Sequence, residues 1–132
     1  MKRGFTLLEL VVVIIIIGIL GALGFVQYAK TLEKGRTAES KEILGQIRKA
    51  EEAYYQENGV YTTSMADLCV NAPTACTTTH YFSYSSSGTA LTDGVGAALR
   101  CTTGGKTPNV GTLYTVNVTY ATGAWAGSAG YY

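Results

Sequence analysis

Few side chains in this sequence are of the types that perform catalysis or hold metals. His80 is the only histidine, and it lies between Thr79 and Tyr81 in a stretch that favours a strand, where a lone ring is usually packed or hydrogen-bonded. Asp67 and Asp93 each lack a second acidic residue nearby, so neither has a partner for paired acid and base chemistry. The sequence has no glycine-rich phosphate loop and no zinc-type spacing of Cys and His. We therefore expect no enzyme activity, no catalytic residue, no metal site and no cofactor.

The three cysteines are the other potentially reactive side chains. Cys69, Cys76 and Cys101 all lie in the polar C-terminal part of the chain, which fits a region that folds outside the reducing cytosol. If the flanking β-rich runs form a hairpin about residues 88–94, Cys76 and Cys101 meet at its open end, so we favour that disulfide. Cys69 with Cys76 is the rival pairing, and three reduced, packed thiols are the remaining alternative. The odd count leaves one thiol unexplained.

The N-terminal segment has the length and composition of a membrane span. From Phe5 to Val26 only Thr6 and Glu9 are distinctly polar, and these 22 residues (26 − 5 + 1) can cross a hydrocarbon core of roughly 30 Å at about 1.5 Å per residue. Lys2 and Arg3 stand directly before it. By the positive-inside rule the extreme N-terminus is cytoplasmic and the remainder of the chain is extracytoplasmic.

Glu9 is the residue of this span that needs a chemical explanation. An ionised carboxylate near the middle of a span costs about 2.5 to 3.5 kcal/mol and is rarely left without a partner. Two interpretations of Glu9 need no partner molecule: its side chain reaches the headgroups, or it interacts favourably with a helix N-terminus.

The run Lys2-Arg3-Gly4-Phe5-Thr6-Leu7-Leu8-Glu9 resembles the processing and assembly motif of type IV prepilins and type II secretion pseudopilins. The resemblance implies that a prepilin peptidase/N-methyltransferase cuts after Gly4 and methylates the new amino terminus at Phe5. It also implies that Glu9 pairs with the Phe5 amine of a neighbouring subunit during assembly. The partners would be copies of the same chain, the membrane, and the pilus assembly platform with its ATPase.

Three functions are compatible with this motif to different degrees. The favoured one is a pilus subunit, a single-pass inner-membrane protein before assembly and part of a cell-surface filament afterwards. The alternative is a minor pilin or pseudopilin that initiates or caps a periplasmic pseudopilus. Major pseudopilins typically carry an acidic calcium-binding loop, and no such cluster is present. A tethered binding domain without polymerisation would leave the motif unexplained, and the net charge of +1 with no basic patch predicts no specific nucleic-acid binding.

Beyond the span, the pattern predicts continuation of the same helix. Leu44, Ile47, Ala50 or Glu51, and Tyr54 alternate in steps of three and four, which is typical of an amphipathic helix. One helix is therefore expected from Phe5 to about residue 58, with a possible bend at Gly35 and a stop at Asn58-Gly59. We divide the chain into a leader (1–4), an apolar helix (5–28), an amphipathic helix half (29–58) and a globular region (59–132).

The C-terminal region is expected to form a small antiparallel sheet. A short helical turn over residues 65–68, capped by Thr63 or Ser64, precedes three β-rich runs at residues 79–86, 95–102 and 112–121. Alternation in the third run predicts that its apolar side chains, Tyr114, Val116, Val118 and Tyr120, pack on the helix. The fold class is α+β, the long helix on a small sheet that the resemblance to type IV pilins implies. Few charges and many hydroxyls suit close lateral packing of many copies.

Overall fold

The computed structural model describes residues 4–104 and 113–132, and Lys2, Arg3 and residues 105–112 lie outside the described residues. One helix, α1 (Leu7–Asn58), is followed by four strands: β1 (Phe82–Ser87), β2 (Val95–Arg100), β3 (Thr115–Thr119) and β4 (Trp125–Gly127). The strands form one antiparallel sheet in the order β1-β2-β3-β4. This confirms the expected α+β architecture. We call residues 60–104 and 113–132 the head.

Both ends of α1 are capped in ways that the local sequence explains. Thr6 is the N-cap, and its hydroxyl and the Glu9 carboxylate form a capping box. At the other end Gly59 adopts a left-handed conformation with a φ of 75°, and its N–H donates to the Tyr55 carbonyl. The helix has no internal proline and continues without interruption through Gly35.

The β1–β2 hairpin depends on one glycine. Gly88 follows β1 with a φ of +81°, and a Cβ at this position would lie 2.1 Å from the Asp93 carbonyl oxygen. Only glycine fits such a close backbone approach at a positive φ. The hairpin register pairs Phe82 with Arg100 and Ser87 with Val95. The turn thereby lets β1 and β2 pair along their full length, from residue 82 to residue 100.

The inner face of the sheet packs on the second half of the helix. The alternating residues of the third run are at most 1% exposed, as the sequence predicted: Tyr114, Val116, Val118 and Tyr120. Leu44 and Ile47 of α1 are fully buried against this sheet core. Gly96 of β2 leaves the space that the Tyr120 ring and Leu44 fill, because a Cβ there would lie 3.1 Å from the Tyr120 ring. Aromatic rings therefore supply most of the core volume.

The segment after the helix differs from the expected short helix. Residues 65–69 form turns, and the prediction of a helical turn capped by Thr63 or Ser64 was wrong. The hydroxyl at this turn belongs to Thr62, which accepts a hydrogen bond of 3.0 Å from the Ser64 N–H. The Thr62 N–H donates to the Glu51 carboxylate of α1 at 3.0 Å. This bond to α1 fixes the start of the segment, which closes as turns instead of continuing as a helix.

Candidate assembly site and the clusters that hold the head

The Gly4–Phe5 peptide bond lies in an exposed, non-helical segment before the helix. Residues 4–6 are not helical, and Phe5 is 89% exposed. A Cβ placed on Gly4 would meet no atom within 4 Å. The bond at the predicted cleavage site is therefore accessible from solvent.

Glu9 is held by Thr6, the N-cap residue of its own helix. Its Oε2 accepts two hydrogen bonds of 2.8 Å, one from the Thr6 N–H and one from the Thr6 hydroxyl. The Thr6 hydroxyl in turn accepts from the Glu9 N–H at 3.3 Å. Both donors reach the same oxygen, so the capping box leaves the second oxygen, Oε1, for another partner. Cleavage after Gly4 would create an amine at Phe5, four positions before this carboxylate in sequence.

The helix divides into two halves with opposite surroundings. In the free helix half, residues 7–28, every side chain is exposed, including the phenylalanine at position 25, which is 73% exposed. Burial begins at Ala29, and we call residues 29–58 the docked helix half. Of the helices in the described parts of the chain, α1 has the length and apolar composition to cross a membrane. No residue in its most apolar stretch is buried by the rest of the described structure. The free helix half is therefore the surface that a lipid phase or other subunits must cover.

A buried ion pair holds the head at the start of the docked helix half. Glu33 and Arg100 both have fully buried side chains, and the Arg100 Nε and Nη2 donate to the two Glu33 oxygens at 3.0 and 3.3 Å. The Tyr114 hydroxyl donates to Glu33 Oε2 at 2.8 Å, and Arg36 also pairs with the Glu33 carboxylate. Arg100 Nη1 donates to the Cys101 carbonyl at 2.6 Å. This Glu33 cluster joins the helix to β2 and to the start of β3.

Tyr81 extends the Glu33 cluster to the start of β1. The guanidinium carbons of Arg36 and Arg100 lie 4.6 and 5.0 Å from the centre of the Tyr81 ring, within the range of cation–π contacts. The Tyr81 N–H donates to the Glu39 carboxylate at 3.0 Å. Two charged groups of the helix thus hold the chain where it enters the sheet.

A second buried carboxylate holds the far end of the head. Glu51 is fully buried, and its two oxygens accept from the Thr62 N–H at 3.0 Å and from the Ser86 hydroxyl at 2.7 Å. The Tyr120 hydroxyl donates to Ser86 Oγ at 2.7 Å. We call these residues the Glu51 cluster. It contains no basic partner, so neutral donors satisfy the carboxylate.

The two clusters share one side of the helix. Glu51 follows Glu33 by 18 positions (51 − 33), which at 3.6 residues per turn is about five turns and about 27 Å. Both carboxylates therefore face the sheet, one near each end of the docked helix half. Rotating the helix, or sliding it by one turn, would remove both carboxylates from their donors together. The pair sets the rotation and register of the head on the helix.

Burial changes the acidity of the core tyrosines. Desolvation raises the pKa of Tyr120 to about 12. The pKa of Tyr114 is raised further, first by burial and then by the hydrogen bond that its hydroxyl donates to Glu33. Burial, followed by the nearby Glu39 and Glu42 charges, also raises the pKa of Tyr84. All three phenols stay neutral far above physiological pH, so none is suited to act as a base.

The cysteines and the histidine lie away from the assembly motif. Cys76 and Cys101 form a disulfide that joins the loop before β1 to the residue after β2, and Cys69 is a free, exposed cysteine with a φ of 50°. His80 Nδ1 lies 2.9 Å from the Thr79 hydroxyl. Among residues 4–104 and 113–132, no three His, Cys, Asp or Glu side chains come together in an arrangement that could hold a metal.

One surface groove lies where the free helix half meets the head. It has a volume of about 420 Å³ and is open to solvent. Its lining comprises Tyr28, Thr31, Leu32, Gly35, Arg36, Glu39 and Tyr81. The charged members already bind within the protein, Arg36 to Glu33 and Glu39 to Tyr81. The groove therefore lacks the converging free polar groups of a small-molecule site.

The sequence analysis missed the role of Glu33 and Arg100. It did not single out Glu39, which accepts the Tyr81 N–H. A signal was present, since Glu33 and Glu51 are separated by about five whole helical turns on a side that also carries Leu44 and Ile47. What the pattern lacked was the position of Arg100, which only the strand register brings to the helix.

Comparison with known proteins identifies the N-terminal segment. Residues 1–25 match the family model of the prokaryotic N-terminal methylation motif, the prepilin signature of type IV pilins and pseudopilins. No curated protein and no solved structure matches the chain. The motif, the long apolar helix and the four-stranded antiparallel sheet together have the organisation of the type IV pilin fold. Together, the motif and the one long apolar helix found in the described residues fit a membrane-anchored precursor.

Proposed function

We propose that this chain, which carries the prepilin signature of type IV pilins and pseudopilins, is a structural subunit of a type IV pilus filament. The observation that carries the proposal is the cleavage motif at Gly4–Phe5, followed by an apolar helix half that is wholly exposed and contains one carboxylate, Glu9. Such a surface needs lipid in the precursor and other helices in a polymer.

In the proposed assembly step, removal of residues 1–4 exposes the Phe5 amine, which is then methylated and keeps its positive charge. Glu9 of one subunit pairs with the Phe5 amine of the next and sets the stagger between them. The Thr6 hydrogen bonds hold one carboxylate oxygen of Glu9 and leave the other for this contact. Helix bundling then covers the free helix halves, which replaces contacts with lipid by contacts between subunits.

The proposed location follows from the same features. The precursor is a single-pass inner-membrane protein whose basic leader residues, Lys2 and Arg3, keep the N-terminus cytoplasmic, with the head outside. The Cys76–Cys101 disulfide supports an extracytoplasmic head, since disulfides persist in oxidising compartments. Prepilin peptidase/N-methyltransferase, the assembly platform and its ATPase are the proposed partners.

The test is electron microscopy of fibres sheared from cells that express the chain, combined with mass spectrometry of the fibre N-terminus. We expect abundant fibres whose subunits begin at methylated Phe5. A Gly4→Leu precursor, in which a bulky side chain replaces the residue before the cut, should stay uncut in the membrane. Processed protein without fibres would favour the alternative, a minor pilin or pseudopilin that initiates or caps a pseudopilus. A fibre subunit that retains Met1 would contradict both.

A further inference from the structure

The sheet has a second face, turned away from α1, that carries no charge. The strand register places ten side chains on this outer face: Ser83, Ser85 and Ser87 of β1, Val95, Ala97 and Leu99 of β2, Thr115, Asn117 and Thr119 of β3, and Ala126 of β4. All are exposed or partly exposed. Protein surfaces ordinarily carry charges of both signs interspersed, and this face has none.

The side chains of the outer face form an ordered pattern. An aliphatic stripe along β2 lies between a stripe of serine hydroxyls on β1 and a stripe of hydroxyls and an amide on β3. Each transverse row repeats the pattern, as in Ser83–Leu99–Thr115. The side chains are small, and Leu99, at 45% exposed, is the largest. The face is therefore flat enough for a second sheet to approach to about 10 Å.

The charges of the described chain are concentrated elsewhere. Solvent-facing ionic side chains cluster on the docked helix half, for example the Arg48–Glu52 pair. In the head as described, Arg100 is buried, which leaves Asp67 and Asp93 as its exposed carboxylates, and neither belongs to the outer face. Two copies of the outer face can thus meet without charge repulsion, whereas two helix surfaces would bring many charges together.

We propose that the outer face is a contact surface between copies of this chain in neighbouring fibres, and that it drives lateral bundling of the filaments. The inference rests on the proposed function, because the helix must occupy the fibre interior for the opposite face of the sheet to point outward. The pattern matches itself under a two-fold rotation, with aliphatic stripe on aliphatic stripe and hydroxyls on both sides. The absence of an aromatic ring from the face favours a second copy over a polysaccharide, whose sugar rings stack on aromatic surfaces.

The size of the face explains why the contact would need a fibre. Four strands about 4.8 Å apart and five residues of about 3.3 Å each give an area on the order of 300 Å². A stable pairwise interface buries about 800 Å² per partner, so two isolated subunits should not associate through this face. A fibre repeats the face along its length, and many weak contacts then act together.

The test uses fibres of the full chain that carry one changed charge. Ser85 is exposed in the central row, and we expect Ser85→Lys fibres and Ser85→Glu fibres each to remain single. The fraction that pellets as bundles at low speed should fall about tenfold at low ionic strength, where charge repulsion is least screened. Ala90→Lys, which adds the same charge on the β1–β2 loop, is the control and should bundle like the wild type.

Mixing the two variant fibres tests whether the outer face binds a second copy of itself. If the outer face meets a copy of itself, Lys-bearing and Glu-bearing fibres should bundle with each other when mixed, and salt should weaken that bundling. Bundles lost in both variants and not restored on mixing would overturn the proposal and indicate a neutral polysaccharide on this face. Wild-type fibres that stay single would overturn it and leave the proposed function intact, whereas a complete absence of fibres would overturn the proposed function itself.

Discussion

The two halves of α1 reverse the usual relation between apolarity and burial. The free helix half is almost entirely apolar and fully exposed, whereas four of the seven buried residues in the docked helix half are polar or charged: Glu33, Thr37, Ser40 and Glu51. The difference shows that burial in this chain depends on what each half contacts. The docked helix half uses buried charge to place the head in one orientation. The free helix half is covered by no other part of the subunit that the structure describes.

The comparison also assigns different tasks to the carboxylates. Glu33 and Glu51 are satisfied within the subunit by several donors from the head. Glu9 is satisfied by one neighbouring residue, Thr6, at one oxygen. Changes in the docked helix half should therefore alter the stability of the subunit, and a change at Glu9 should alter assembly alone.

The largest effect is expected at Glu9. Glu9→Ala should abolish fibres, because it removes the one carboxylate of the free helix half, and it should leave the urea unfolding of the detergent-solubilised chain unchanged. Electron microscopy of sheared fibres and urea titration give the two measurements. Glu57→Ala, which removes an exposed carboxylate at the end of the docked helix half, is the matched control and should still give fibres. Abundant fibres from Glu9→Ala would contradict the proposed register contact.

The buried ion pair should give the largest effect on stability. Arg100→Met leaves the Glu33 carboxylate buried without its main partner, so the free energy of unfolding should fall by about 3 to 5 kcal/mol. Urea titration followed by the fluorescence of Trp125, the single tryptophan, measures this. The double variant Glu33→Leu/Arg100→Met should be less destabilised than Arg100→Met, since no uncompensated charge remains. Equal destabilisation of the two would show that packing, and not the charge, dominates the cluster.

The disulfide should contribute somewhat less than the ion pair. Cys76→Ser/Cys101→Ser opens a link across 25 positions, and the free energy of unfolding should fall by about 3 kcal/mol on the chain-entropy view. Cys69→Ser, which changes the free and exposed cysteine, should leave the unfolding midpoint where it is. A large loss from Cys69→Ser would mean that Cys69 takes part in the pairing.

The smallest effect is a decline of stability at alkaline pH. The raised pKa values of Tyr84, Tyr114 and Tyr120 mean that the folded chain keeps these protons after the unfolded chain begins to release them near pH 10. These three tyrosines should leave stability unchanged below that pH and lower it gradually above it, up to about pH 12 for Tyr120. Urea midpoints measured from pH 8 to 12 test this, and Tyr120→Phe should make the slope shallower.

The sequence by itself determined the elements that depend on local order. Apolar length and steps of three and four predicted the long helix, and alternation predicted that Val116 and Val118 are buried. The processing site that the leader motif indicates stays a prediction. Each of these signals arises from neighbours in the chain, whose geometry follows from helix or strand periodicity. The short helix over residues 65–68 was wrong because a distant group, the Glu51 carboxylate, binds Thr62 and fixes the start of that segment.

The tertiary structure alone decided which charges are buried. From the sequence, Arg100 is indistinguishable from an ordinary surface cation. Packing of the sheet on α1 places it beside Glu33, 67 positions away in the chain. The uncharged outer face likewise becomes visible only when the register aligns small residues from four strands. Contacts between residues far apart in sequence depend on how the elements pack, and no local pattern specifies that packing.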